Sequence, residues 1–154
     1  MIEFRDGDIF MQDDLHVIVQ QCNCFNKMRS GFAKEIATRY PEAVDADNRT
    51  KPGDKSKLGS YTCGVGKDDM HIINMYGQYN YGREKKCYTD YDAVRKALNE
   101  IKDDYATPFP PMIIGMPYKI GCSLGGGNWD IVLQIIKDVF ENENDCKIVI
   151  CRKE

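Results

Sequence analysis

The apolar positions of the chain follow two alternating patterns. Short, nearly continuous hydrophobic runs lie at residues 2–5 (IEFR), 15–24 (LHVIVQQCNC), 60–66 (SYTCGVG), 70–77 (MHIINMYG), 111–117 (PMIIGMP) and 146–151 (CKIVIC). Runs of this length and β-branched content read as strands, buried on both faces where the hydrophobicity is continuous. Between them, apolar residues recur every three or four positions. This spacing predicts a helix over Gly31–Tyr40, a second after Thr89 with Tyr91, Val94, Leu98 and Ile101 on one face, and a third with Trp129, Val132, Leu133, Ile136, Val139 and Phe140 on one side. Thr89 reads as the N-cap of the second helix. Pro41 either breaks the first helix or starts another short one. Residues 51–60 and 78–88 read as loops, the latter polar, aromatic and irregular.

Strands alternating with helices predict a three-layer α/β/α fold with a largely parallel central sheet, and the length fits one domain over residues 1–154. Ligands of such folds bind beyond the carboxyl ends of the strands. Three loops leave strands there: 6–10, 22–32 and 117–128.

Composition narrows the partners. The formal charge of −3 argues against nonspecific attraction to nucleic acid or anionic lipid, so a bound anion must be held locally. The seven cysteines are odd in number and form no CxxC pair, which indicates neither a disulfide framework nor a zinc site. They read as reduced thiols of a cytoplasmic protein. The N-terminus lacks the pattern of a signal peptide, and no apolar run approaches the roughly 20 residues of a membrane span.

The densest chemical signal is IGCSLGGGNW, residues 120–129, with glycines at 121, 125, 126 and 127 directly before a helix. Glycine lets a ligand approach the backbone, and a turn entering a helix presents unpaired N–H groups to an anion such as a diphosphate. A tight connection without a ligand is the plainer alternative. The loop is neither GxxxxGK[ST] nor GxGxxG, which argues against a P-loop ATPase or a Rossmann dehydrogenase. Asp8 is an acceptor for an amine or hydroxyl, or simply a turn residue. Asn23, at the end of the second strand, suits a sugar hydroxyl or is a satisfied strand-end amide. Ser30 and Gly31 form another helix start. His16 and His71 lie within strand-like runs and read as structural. Cys122 reads as a packing residue rather than a nucleophile.

Five segments, GDIF (7–10), VQQCNCFNKMRSGFAKEIATRYP (19–41), INMYGQ (73–78), TDYDAVRKAL (89–98) and MPYKIGCSLGGGNWDIV (116–132), together resemble the macrodomain family of ADP-ribose-binding modules. The likeness is greatest to the branch of ADP-ribose 1″-phosphate phosphatases and terminal ADP-ribose glycohydrolases. The resemblance covers essentially the whole chain and implies a mixed, largely parallel sheet. It implies that Asp8 binds the adenine amine with Gly7 and Ile9 beside it. Cys22 and Asn23 would sit at the distal ribose, with Asn23 placing the ribose or a water. Arg29, Ser30, Gly31, Phe32 and Ala33 would border that ribose and the pyrophosphate. Pro117 and the stretch Ile120, Gly121, Cys122, Ser123, Leu124, Gly125 and Gly126 would wrap the pyrophosphate, and Cys151 and Arg152 would flank the adenine. Neither a metal nor a cofactor is implied.

The chain departs from the family at several positions where relatives carry catalytic groups. Gln20 stands where many have histidine, Met75 where one subgroup has a lysine nucleophile, Gly125 where that subgroup has an aspartate, and Asn128 where an acid precedes the tryptophan. Arg29 also replaces a glycine. Two functions fit: a hydrolase acting at C1″ of the distal ribose, or a non-catalytic reader. The ligand is ADP-ribose, ADP-ribose 1″-phosphate or an ADP-ribosylated macromolecule. No membrane and no sequence-specific nucleic-acid site is implied.

Overall fold

The computed structural model describes residues 1–28 and 31–153. Six strands form one sheet: β1 (Ile2–Asp6), β2 (Val17–Cys22), β3 (Tyr61–Val65), β4 (His71–Tyr76), β5 (Met112–Pro117) and β6 (Cys146–Arg152). Their spatial order is β1-β6-β5-β2-β4-β3. All neighbours are parallel except β3, which pairs antiparallel with β4 at one edge. The helices are α1 (Gly31–Arg39), α2 (Pro41–Asn48), α3 (Tyr91–Tyr105) and α4 (Trp129–Phe140). The expected α/β class and largely parallel sheet are therefore present.

Period-two alternation sorts the strand side chains between two cores. Val17, Val19, Ile73, Met75, Ile114, Met116, Ile148 and Ile150 face α3 and α4, joining Val94, Leu98, Ile101, Val132, Ile136 and Phe140. Ile18, Ile72, Val149 and Cys151 face the other way, towards Ile36 of α1 and Ala43 of α2. Because both faces are covered, the central strands carry no polar alternation, which is why they read as continuous apolar runs.

The structure moves some expected boundaries. β2 ends at Cys22 rather than residue 24, because the Asn23 side chain accepts the Phe25 N–H (2.9 Å) and turns the chain. Pro41 starts α2, with its missing N–H at a position that has no intrahelical acceptor. The N-cap of α3 is Asp90, which accepts from Ala93 N (3.0 Å); Thr89 has another task, described below. His16 directly precedes β2 and His71 opens β4, both at the end of the sheet opposite the carboxyl ends. There His16 Nδ1 accepts from Ile113 N and His71 Nδ1 meets the Tyr105 hydroxyl at 3.0 Å.

Candidate functional site

The carboxyl ends of five parallel strands line one edge in the order β1, β6, β5, β2, β4. At ordinary strand spacing they span about 19 Å. Two adjoining cavities run along them. The smaller, about 190 Å³, lies at β1 and β6 between Asp8, Ile9, Phe10, Cys151, Arg152 and Lys153. The larger, about 390 Å³, runs over β5, β2 and β4. Phe32, Pro117 and Tyr118 belong to both walls, so the two form one elongated cleft.

The glycine loop follows β5. Gly121 (φ 77°) and Gly126 (φ 69°) adopt backbone conformations that side-chain-bearing residues avoid. Two of its carbonyls are held by the segment before α3. Gly125 O accepts from Tyr88 N (2.7 Å) and Thr89 N (3.0 Å), and Gly121 O accepts from Gly127 N (2.9 Å) and the Thr89 hydroxyl (2.7 Å). Thr89 Oγ1 in turn accepts from Gln21 Nε2, which also donates to Gln78 Oε1, each at 2.8 Å. With the carbonyls held on that side, the amides of Gly121, Ser123, Leu124 and Gly125 find no acceptor among the described residues. Successive unpaired amides in such a turn form an anion nest.

The loop after β2 is built by Asn23 and a buried lysine. Asn23 Nδ2 donates to Lys27 O (3.0 Å) while Oδ1 takes the Phe25 N–H. Lys57 donates to Cys24 O (3.0 Å) and Asn26 Oδ1 (2.6 Å) from behind. Asn23 therefore borders the cleft with one amide hydrogen and one lone pair left to offer. Beside it Gln20, 1% exposed, donates to Asn74 Oδ1 (2.9 Å), and its Oε1 has no partner among the described residues.

At the β1 end, Asp8 Oδ1 accepts the Phe10 N–H (3.0 Å) and Oδ2 lies 3.3 Å from Lys153 Nζ. That amide hydrogen bond, followed by Lys153, holds the carboxyl below its ordinary range. Phe10 stacks on Phe32 at 5.5 Å between centroids, giving the smaller cavity an aromatic wall.

The charges on the larger wall are one-sided. Lys27, Arg83 and Lys119 line it, and no carboxylate does among the described residues. Burial pushes the Cys122 thiol up to about 11 and raises Cys22 and Cys151 as well, so these sulfurs stay protonated at neutral pH. No group of three or more His, Cys, Asp or Glu side chains is arranged to hold a metal among the described residues.

Of the residues singled out in the sequence, the cleft wall brings together Asp8, Ile9, Cys22, Asn23, Gly31, Phe32, Ala33, Pro117, Ile120, Gly121, Ser123, Leu124, Gly125, Cys151 and Arg152. Arg29 and Ser30 lie outside the described residues. Gly7, Cys122 and Gly126 belong to the same loops but not to the wall. Gly7 N is committed to Arg152 O (2.9 Å), Cys122 packs towards the α3–α4 core, and a Cβ on Gly126 would lie 2.1 Å from Lys86 O. Gln78, Tyr118 and Lys119 also line the wall and Thr89 buttresses it; all four lie in segments that resemble the family, but none is among the candidate residues of the sequence.

No family model matches the chain. It is 32% identical over 136 residues to an uncharacterized 17.5 kDa protein of enterobacteria phage T4, covering 86% of this chain and 84% of that one. It is 27% identical over 157 residues to the DNA ADP-ribosyl glycohydrolase of Mycobacterium tuberculosis, covering 97% of this chain but only 42% of the enzyme. The macrodomain of Mycobacterium tuberculosis DarG superposes with a TM-score of 0.75 at 22% identity, over 98% of this chain and 97% of that one. The chain therefore has the macrodomain fold.

Proposed function

We propose that the protein binds ADP-ribose along the cleft and hydrolyses its derivatives at C1″ of the distal ribose. The observation that carries this reading is the set of amides of Gly121, Ser123, Leu124 and Gly125, unpartnered among the described residues and placed in the larger wall, which has three cations and no carboxylate among those residues. A diphosphate suits that position. With the diphosphate at β5, the adenosine falls into the aromatic cavity with Asp8, and the distal ribose falls at the end of β2 beside Asn23. Substrates of this geometry are ADP-ribose 1″-phosphate and ADP-ribosylated macromolecules. The similarity to a DNA ADP-ribosyl glycohydrolase supports cleavage rather than binding alone.

In the proposed step a water held by Asn23 adds to C1″. The bond from C1″ to the leaving atom breaks, and the water's proton passes to the leaving group. Positioning supplies much of the acceleration. Metal and cofactor play no part in the proposed step. Seven free thiols support a cytoplasmic location.

The second reading is a non-catalytic reader, favoured by one observation: the larger wall offers neither a carboxylate nor a histidine as general base among the described residues. Calorimetry with ADP-ribose tests the shared part of both readings. Incubation with ADP-ribose 1″-phosphate and with mono-ADP-ribosylated protein and DNA, assayed for released phosphate and ADP-ribose, separates them. Tight binding without turnover of any substrate defeats the hydrolase reading.

A further inference from the structure

Gln20 carries a polar atom that the fold leaves without a partner. It lines the larger cavity together with Asn23, yet it is 1% exposed and its Oε1 is unsatisfied among the described residues. A buried carboxamide oxygen in that state is rare and calls for an explanation. The surrounding bonds require this atom to be an acceptor. Gln20 and Asn74 are directly opposed in the β2–β4 register, and Gln20 Nε2 donates to Asn74 Oδ1 at 2.9 Å. Asn74 is fixed in its turn, because its Nδ2 donates to Ala43 O at 2.9 Å and to Thr62 Oγ1 at 3.0 Å. Thr62 offers Asn74 only lone pairs. Its hydroxyl lies 3.0 Å from the Tyr76 hydroxyl, and the Tyr76 hydrogen goes to Asp47 Oδ1 at 2.6 Å, so Thr62 gives its own hydrogen to Tyr76. Reversing the Gln20 amide would set two carboxamide oxygens against each other. Asp47, Tyr76, Thr62 and Asn74 are thus committed to the orientation of one free acceptor.

We propose that Gln20 Oε1 is a specificity-determining acceptor for a hydroxyl of the distal ribose, with Asn74 as the positioning residue that orients it. This rests on the ADP-ribose reading above, which sets that ribose beside Asn23 on the same wall. The donors of ADP-ribose at that end are the ribose hydroxyls. Asn23 has an amide hydrogen to offer a hydroxyl oxygen, and Gln20 supplies the complementary acceptor. Met28 lines the same cavity, with its sulfur 3.6 Å from Gln20 Nε2, and is the unbranched, adaptable neighbour that makes room. Oε1 is already stripped of water in the free protein, so the bond forms without further desolvation of Gln20. A deoxy sugar leaves the oxygen unsatisfied.

The test measures dissociation constants by calorimetry for ADP-ribose and for its analogues lacking the 2″ or the 3″ hydroxyl of the distal ribose. With the unaltered chain, one of the two analogues is expected to bind about tenfold or more weakly than ADP-ribose. Gln20→Met keeps the shape and removes the amide, and should reduce that ratio to about twofold or less. Asn74→Leu should lower the same ratio, whereas a purely structural effect would weaken both ligands equally. Both analogues binding as tightly as ADP-ribose overturns the inference on the unaltered chain alone, and is the result expected if a buried water satisfies Oε1. A tenfold preference that persists in Gln20→Met also overturns it, because another group would then read the hydroxyl. Either result leaves the ADP-ribose reading intact. Failure of ADP-ribose itself to bind removes both.

Discussion

Thr89 offers the sharpest test of how the anion nest is made. Its hydroxyl donates to Gly121 O at 2.7 Å and accepts from Gln21 Nε2 at 2.8 Å, so it joins the end of β2 to the glycine loop. Thr89→Val keeps the shape and deletes both bonds. Gly121 O retains Gly127 N, and Gln21 Nε2 retains Gln78 Oε1, so neither group loses every partner. Two net hydrogen bonds with partial compensation amount to about 1–2 kcal/mol. For a chain of this size that lowers Tm by roughly 3–6 °C. If the bonds hold the Gly121–Gly125 amides ready for a diphosphate, about 1.4 kcal/mol reappears as a tenfold weaker Kd for ADP-ribose. Calorimetry and thermal melts on Thr89→Val, with Thr89→Ser as the variant that restores the hydroxyl, separate the effects. A lowered Tm with unchanged ADP-ribose affinity would refute the reasoning, because Thr89 would then support the fold without shaping the site.

Three further outcomes are expected. Gly125→Val forces a Cβ to within 2.7 Å of Gly121 O and 2.9 Å of Thr89 Oγ1, so calorimetry should find ADP-ribose binding weakened tenfold or more. Asn23→Ala frees Lys27 O and Phe25 N together, which should cost about 1–2 kcal/mol in denaturant unfolding and weaken ADP-ribose binding. Because burial raises the Cys122 thiol to about 11, its thiolate forms only as the pH rises towards that value. Iodoacetamide followed by mass mapping should therefore label exposed Cys87 before Cys122 at pH 8, and Cys122→Ala should leave any turnover in place.

Much of this organisation was legible before the structure. Both strand signals of the β2–β4 pair, the glycine loop and Asn23 follow from hydrophobic period and from residue types with few other uses. The misassignment at Thr89 has a physical cause. Thr89 and Asp90 are adjacent residues with equal capping chemistry, and what separates them is a partner 32 residues away, Gly121, brought close only by the register of β2, β4 and β5. Tyr81 and Arg83 lie in a segment with no periodicity. A bridge between Gln78 and Thr89 and the packing of Phe25 set their position, and neither leaves a local sequence mark. The two glutamines show the opposite case. Period-two alternation alone sends Gln20 towards α1 and Gln21 towards α3, which gives one a buried acceptor without a partner among the described residues and the other a place in the loop buttress.

The same network constrains the proposed hydrolysis. The carbonyls of Gly121 and Gly125 are bound to the Thr89 side, so the charged and backbone groups facing the larger cavity are donors: nest amides, Lys27, Arg83 and Lys119. Donors stabilise charge that develops on a substrate but do not take a proton from water. The buried thiols, held protonated, do not take one either. The side-chain acceptors on that wall include the carboxamide oxygens of Asn23 and Gln20, which orient a water without deprotonating it. Bond breaking at C1″ must then run ahead of proton loss from the water, with the leaving group as the final proton acceptor. A hydrolase of this design is more sensitive to the basicity of its leaving group than to pH, so its rate across neutral pH should be flat. A bell-shaped profile centred near pH 7 would require a titrating general base that the described wall does not contain.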